Sequence, residues 1–142
     1  MSTAPRRIVV GFNGSDGARR ALEEVRRIAP SGAAVAVVYA HRPPPELKHY
    51  EFFEDVLADL DRAAAETVES ARPVFEGGDL DVRYEVREGA PAEVLAAVAR
   101  EGGADLIVMG SRGLGRVRAA IGSAVLDLLH DAPCPVLVVP PR

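Results

Sequence analysis

The sequence predicts one doubly wound α/β domain over residues 1–142, built on a five-stranded parallel sheet. Three observations predict it. Short apolar runs lack polar alternation, which is typical of strands covered on both faces. Amphipathic segments with apolar residues at helical spacing separate these runs. A chain of 142 residues also suits one domain of ordinary size. Alternation of this kind requires crossover helices on both faces of a parallel sheet.

The strands are predicted at residues 8–11, 33–40, 80–86, 106–109 and 136–139. The helices are predicted at residues 18–29, 47–75 and 123–130, with a further helix that opens at Gly89-Ala90-Pro91 and closes at Gly102-Gly103. The run at 80–86 alternates apolar and charged residues, so we expect this strand to be wetter on one face or nearer an edge.

Composition excludes several classes of function. The net charge of −4 argues against a general nucleic-acid binder. No apolar stretch approaches the length of a membrane span, and the run at 8–10 is too short for a signal-peptide core. The lone Cys134 cannot form an internal disulfide, which favours a reducing compartment. We therefore expect a cytoplasmic protein.

The segment after the fourth strand carries the strongest functional signal. Gly110-Ser111-Arg112-Gly113 leaves the strand, and Gly122-Ser123 begins the next helix. Glycine allows positive φ and close approach of backbone amides to an anion, and a helix start adds partial positive charge. Between Gly110 and Leu126 the chain has three arginines, at 112, 116 and 118, and no acid. The pattern favours an anion site, although glycines that only make turns remain an alternative at this point.

Standard motifs do not resolve the choice. A Walker A loop is excluded because no lysine follows Gly122, and the dinucleotide pattern fails because Arg118 stands where its third glycine belongs. The three histidines share no metal-ligand spacing, so a metal site of protein ligands is not expected. Ser15 fits a turn or helix-cap serine better than a nucleophile, since no histidine can be assigned as its base.

From about residue 7 to 139 the sequence resembles the universal stress protein family. The stretches that carry the resemblance are Val10-Gly11-Phe12-Asn13-Gly14-Ser15, Val37-Val38-Tyr39-Ala40, Gly89-Ala90-Pro91, the segment 104–113, Gly122-Ser123-Ala124-Val125 and the segment 132–139. The resemblance implies a flavodoxin-like or adenine-nucleotide α-hydrolase-like sheet with strand order 3-2-1-4-5.

The resemblance also implies ATP, usually with Mg²⁺, as the bound cofactor. Adenine would lie near Asn13 and the backbone of Ala40, and the ribose near Gly110. The phosphates would lie on Arg112, Gly113, Gly122 and Ser123. The implied binding set also includes Gly11, Met109 and Ala124. Two positions depart from the family pattern: Asn13 stands where aspartate is usual, and Gly113 and Gly122 enclose eight residues instead of nine.

The last strand, residues 136–139, is apolar throughout and would lie at the sheet edge, where unpaired backbone invites another chain. The resembling family dimerises through this strand, so a homodimer is expected. The function expected is a nucleotide-responsive stress or regulatory protein with slow or no ATP hydrolysis. The alternatives are a dimeric interaction protein that binds no nucleotide, an adenylate-transferring or phosphate-cleaving enzyme, and a flavin-binding electron carrier.

Overall fold

The computed structural model describes residues 4–111 and 122–141, which contain a five-stranded parallel sheet. The strands are β1 (Arg7–Gly11), β2 (Ala34–His41), β3 (Asp81–Glu88), β4 (Leu106–Gly110) and β5 (Val136–Val139). Their spatial order is β3-β2-β1-β4-β5, and every neighbouring pair is parallel. The predicted fold class and strand order are confirmed.

Five helices are described: α1 (Asp16–Ile28), α2 (Phe53–Glu69), α3 (Arg72–Phe75), α4 (Pro91–Gly102) and α5 (Ser123–Asp131). The single long helix predicted for 47–75 is wrong. A turn of 3₁₀ helix at Pro45–His49 precedes α2, and α3 follows it. Pro73 explains the second break, because it has no N–H to donate to the Glu69 carbonyl and its ring would clash there.

The sheet is buried between two layers of helices, and alternate residues of its central strands face opposite layers. Ile8 and Val10 of β1 belong to the core shared with α1, α2 and α3, whereas Val9 belongs to the core shared with α4 and α5. All three side chains are at most 3% exposed. Burial on both faces explains why these strands appear as uninterrupted apolar runs in the sequence.

Strand β3 is an edge strand with one charged face, as its alternating sequence predicted. The register pairs Val38 with Glu85, and α4 packs over β1 and β2 on that side of the sheet. Arg87 donates to Glu101 of α4 at 2.7 Å and to Glu85 at 3.0 Å. The hydrogen bonds to these two glutamates raise the pKa of the Arg87 guanidinium. Charges on an edge strand oppose its pairing with another chain.

The opposite end of the sheet is tied together by Asp105, just before β4. Its carboxylate accepts hydrogen bonds from the backbone N–H groups of Arg6, at 2.8 Å, and Arg7, at 2.9 Å. These two bonds hold the pKa of Asp105 below its usual value. They align the start of β1 with β4, the two strands that end beside each other at the site described below.

None of the helices within 4–111 and 122–141 is both long and apolar enough to cross a membrane.

Cys134 is partly buried against the core that contains α4 and α5, and burial raises the pKa of its thiol. A thiol with a raised pKa is a poor nucleophile at neutral pH. Cys134 therefore serves as a small packing residue.

Candidate functional site

The strand order reverses between β1 and β4, and a cavity opens at their carboxyl ends. The chain passes from β1 to β2 on one side of β1, whereas β4 lies on the other side. Such a reversal separates the loops above the sheet and leaves a crevice for a ligand. The cavity has a volume of about 110 Å³. The described residues that line it are Gly11, Phe12, Asn13, Ser15, Ala18, Val38, Tyr39, Ala40, Pro91, Leu95, Met109, Gly110, Ser111, Gly122, Ala124 and Val125.

The loop after β1 is held by two side-chain hydrogen bonds. The Asn13 Oδ1 atom accepts from the Ser15 backbone N–H at 3.0 Å. Ser15 Oγ in turn accepts from the Ala18 N–H at 3.1 Å, so Ser15 caps α1 as the sequence predicted. Ser15 is only 7% exposed. The second bond satisfies one free amide in the first turn of α1, and the first fixes the orientation of the Asn13 amide beside the cavity.

The carboxyl end of β2 presents unpaired backbone groups of Ala40 to the same cavity. In a strand, the backbone groups of successive residues point alternately to the two neighbouring strands. Val38 faces β1, since its carbonyl accepts from the Phe12 N–H at 2.9 Å, and His41 faces β3, since its carbonyl accepts from the Gly89 N–H at 2.9 Å. The N–H and C=O of Ala40 therefore point toward the β1 side. The pairing of β1 with β2 ends at Val38, before Ala40 is reached. Its N–H and C=O have no hydrogen-bond partner among the described residues.

Gly110 ends β4 against the start of α1. A Cβ atom added there would lie 2.9 Å from both the carbonyl carbon and the carbonyl oxygen of Gly17. Real Cβ atoms essentially never come so close to backbone, so this position requires glycine. The close contact brings the first turn of α1 down onto the end of β4 and forms one wall of the cavity.

The start of α5 forms another part of the cavity wall. The Gly122 N–H donates to the Ser111 carbonyl at 2.8 Å, which joins the two ends of the segment 112–121. The Ser123 and Ala124 N–H groups make no hydrogen bond to any described residue. Free amides at a helix start, together with the helix dipole, favour an anion. Gly122 has a φ of −64°, so this position does not use the positive φ that glycine allows.

The family model described as "Universal stress protein family" matches residues 5–140. The chain belongs to the universal stress protein family. It is 38% identical over 135 residues to the universal stress protein in QAH/OAS sulfhydrylase 3′ region of Thermus aquaticus, a match that covers 93% of this chain and 96% of that protein.

Two solved structures of universal stress proteins contain nucleotides. One, from Archaeoglobus fulgidus in complex with dAMP, is 26% identical, has a TM-score of 0.63 and is matched over 96% of this chain and 99% of that one. The other is a universal stress protein in complex with cAMP, 28% identical, with a TM-score of 0.60 and coverage of 96% and 98%.

The structure brings most of the sequence-predicted residues of this family member to one cavity. Gly11, Asn13, Ala40, Met109, Gly110, Gly122 and Ala124 line it. Ser123 is exposed at the first residue of α5 and contributes no lining surface. The predictions for Arg112 and Gly113 lie outside the described residues.

Sequence reasoning missed the contribution of α4 to the site. Pro91 and Leu95 line the cavity on the side opposite α1. Gly89-Ala90-Pro91 marked the start of this helix, but nothing in its spacing indicated that the helix begins beside β1 and β4. That proximity arises from the crossover between β3 and β4.

The lining does not fit a Mg²⁺ ion held by the protein. Magnesium binds proteins through carboxylates, and no described lining residue has one. Asn13 Oδ1, a candidate oxygen ligand, already accepts from Ser15. Within 4–111 and 122–141 no cluster of three or more histidine, cysteine, aspartate or glutamate side chains could hold a metal ion.

Proposed function

We propose that the protein binds an adenine nucleotide, with ATP as the natural ligand, in the cavity between the ends of β1, β2 and β4. One observation carries the proposal: the free N–H and C=O of Ala40 and the free amide of Ala124 belong to residues that line one cavity at the strand-order reversal. The free amide of Ser123 precedes Ala124 at the start of α5. The nucleotide complexes of the two related structures support it.

The base end of the cavity suits adenine. The free Ala40 carbonyl can accept a hydrogen bond from the exocyclic amine of adenine, and the Ala40 N–H can donate to the adjacent ring nitrogen. Val38, Leu95 and Met109 supply apolar surface around these polar groups. A mostly apolar cavity with a few oriented polar groups is typical of small-molecule sites.

The phosphate end lies at the start of α5. Hydrogen bonds to a charged group contribute roughly 1.5 to 3 kcal/mol each. Two of them from Ser123 and Ala124, together with burial of the base, can offset the ordering of the ligand and give an affinity near micromolar, about 8 kcal/mol.

The proposed role is regulatory, in a stress response, with hydrolysis slow or absent. The described lining residues include no histidine, lysine or carboxylate that could act as a general base toward water. We further propose that the protein works in the cytoplasm, which the unpaired thiol of Cys134 supports.

We expect ATP to stabilise the protein against thermal unfolding. Free ATP at a hundred times its dissociation constant should add about 2.7 kcal/mol to the free energy of unfolding, because only the folded state has the cavity. Calorimetric titration and thermal melts check this, with UTP and inorganic triphosphate as controls for the base and the phosphates. An unchanged melting temperature and no heat of binding with ATP would favour the nucleotide-independent interaction protein.

We also propose a homodimer formed through β5. The carbonyls of Pro135 and Val139 accept from Ile107 and Ser111 of the β4 side. By strand alternation, Val138 therefore directs its N–H and C=O outward, away from β4. Unlike β3 at the other edge, β5 has no charged residue among its four positions. An apolar, unprotected edge favours pairing with a second copy.

The Val138→Pro variant should convert the dimer to a monomer. Proline removes the outward N–H without removing a hydrogen bond to β4, and edge strands tolerate it. Val138→Thr is the matched control, because it keeps the N–H and the branched side chain. Sedimentation of the wild type, Val138→Pro and Val138→Thr measures the oligomeric state of each. A monomeric wild type, or a Val138→Pro protein that remains dimeric, would contradict this assembly.

A further inference from the structure

We propose that Asn13 makes the cavity a metal-independent nucleotide site, in which the Asn13 amide donates to a phosphate oxygen, in place of the adenine contact that the resemblance implies, and no Mg²⁺ is required. The inference rests on the proposed function and deepens it by stating the form in which the nucleotide binds.

The orientation of the Asn13 side chain follows from its backbone partner. The Ser15 N–H can pair only with an acceptor, so the Oδ1 atom at 3.0 Å is the oxygen and Nδ2 is the other end of the amide. Nδ2 makes no hydrogen bond to any described residue. Because Asn13 lines the cavity, the two N–H bonds of Nδ2 are available to a ligand there. Nδ2 is a donor and cannot ligate a cation.

Acidic groups are absent from the described walls of the cavity. None of the described lining residues has an acidic side chain. The nearest acid along the chain is Asp16, which is exposed in the first turn of α1 and is not part of the lining. The sequence between Ser111 and Gly122 adds no aspartate or glutamate. Such a site offers donors to phosphate oxygens and offers no carboxylate to share a magnesium ion with them.

This donor set should prefer the more negatively charged form of the ligand. Mg²⁺ neutralises two charges of a nucleoside triphosphate and occupies some of its phosphate oxygens. Hydrogen bonds to an ionised acceptor are about twice as strong as those between neutral groups. Free ATP should therefore bind the wild-type protein at least as tightly as Mg-ATP does.

The test is calorimetric titration of ATP into the wild type and the Asn13→Asp variant, each with EDTA and with excess Mg²⁺. Aspartate keeps an oxygen for the Ser15 N–H, so the turn should survive, but it replaces the donor with a negative charge. We expect the variant to lose about tenfold in affinity for free ATP and to recover most of that loss with Mg²⁺. The wild type should show no such dependence. Asp16→Asn is the matched control, because it removes the acid in the same turn and should leave both affinities unchanged.

The outcomes separate this inference from the proposed function. Wild-type binding that needs Mg²⁺ would overturn the inference while leaving nucleotide binding intact. An Asn13→Asp variant that folds, as judged by its melting curve, and binds ATP like the wild type in EDTA would overturn the role of Asn13. A wild type that binds no ATP under either condition would overturn both. The wild-type comparison with and without metal needs no variant, so a misfolded Asn13→Asp protein would still leave the inference open to contradiction.

Discussion

Replacing Ser123 with aspartate is expected to weaken ATP binding by about ten- to a hundredfold while leaving the protein at least as stable as the wild type. The side chain is exposed at the first position of α5. An acid there interacts favourably with the helix dipole, by roughly 0.3 to 1 kcal/mol. The same charge beside the free amides repels a phosphate. A loss of about 1.5 to 3 kcal/mol of binding free energy corresponds to the expected ten- to hundredfold decrease in affinity.

Two controls make this result specific. Ser123→Ala removes the hydroxyl without adding charge, so it separates a hydroxyl contact from the electrostatic effect. Asp127→Asn changes the charge of the same helix by one unit at an exposed position outside the cavity lining, and should leave binding nearly unchanged. If Ser123→Asp binds ATP as tightly as the wild type in calorimetry, the phosphates do not lie at the start of α5.

Replacing Gly110 with alanine is expected to lower the free energy of unfolding by about 2 to 3 kcal/mol. The added Cβ would lie 2.9 Å from two backbone atoms of Gly17, which move only if the start of α1 moves. Overpacking of a closely packed site typically costs about 1 to 3 kcal/mol. The displacement would also reshape the cavity wall, so ATP binding should weaken as well. Chemical denaturation measures the change in the free energy of unfolding, and calorimetric titration measures the change in ATP affinity.

Gly102→Ala is the matched control for this substitution. A Cβ at Gly102 meets no atom within 4 Å, and Gly102 is the last residue of α4. Alanine there should leave stability unchanged or raise it by a few tenths of a kcal/mol. A Gly110→Ala protein that unfolds at the same denaturant concentration as the wild type would contradict the close contact between β4 and α1.

Both predictions concern residues whose importance the sequence indicated for a different reason. Gly110 was expected to let backbone amides approach an anion, yet it is the close packing of α1 that requires glycine at this position. Ser123 was expected to contact phosphate, and the structure adds that it is the first residue of α5, directly after the N-cap Gly122. Glycine and serine serve several structural purposes, so their presence in a motif does not identify which purpose applies.

The local properties of the chain were readable from its sequence. Burial on both faces produces an apolar run, a half-buried helix produces apolar residues at helical spacing, and a charged edge strand produces alternation. The sequence therefore predicted β1 to β5 and the helices α1, α4 and α5. The one element that failed, residues 47–75, failed because Pro73 ends a helix whose amphipathic pattern otherwise continues.

By itself, the sequence determined the α/β alternation, the resemblance to the universal stress protein family, and the lack of acids between Ser111 and Gly122. Only the tertiary structure decided which groups face the cavity. The free N–H and C=O of Ala40 depend on where β1 stops, and the outward amide of Asn13 depends on a hydrogen bond to Ser15. These properties arise from register and orientation, which local residue patterns do not encode.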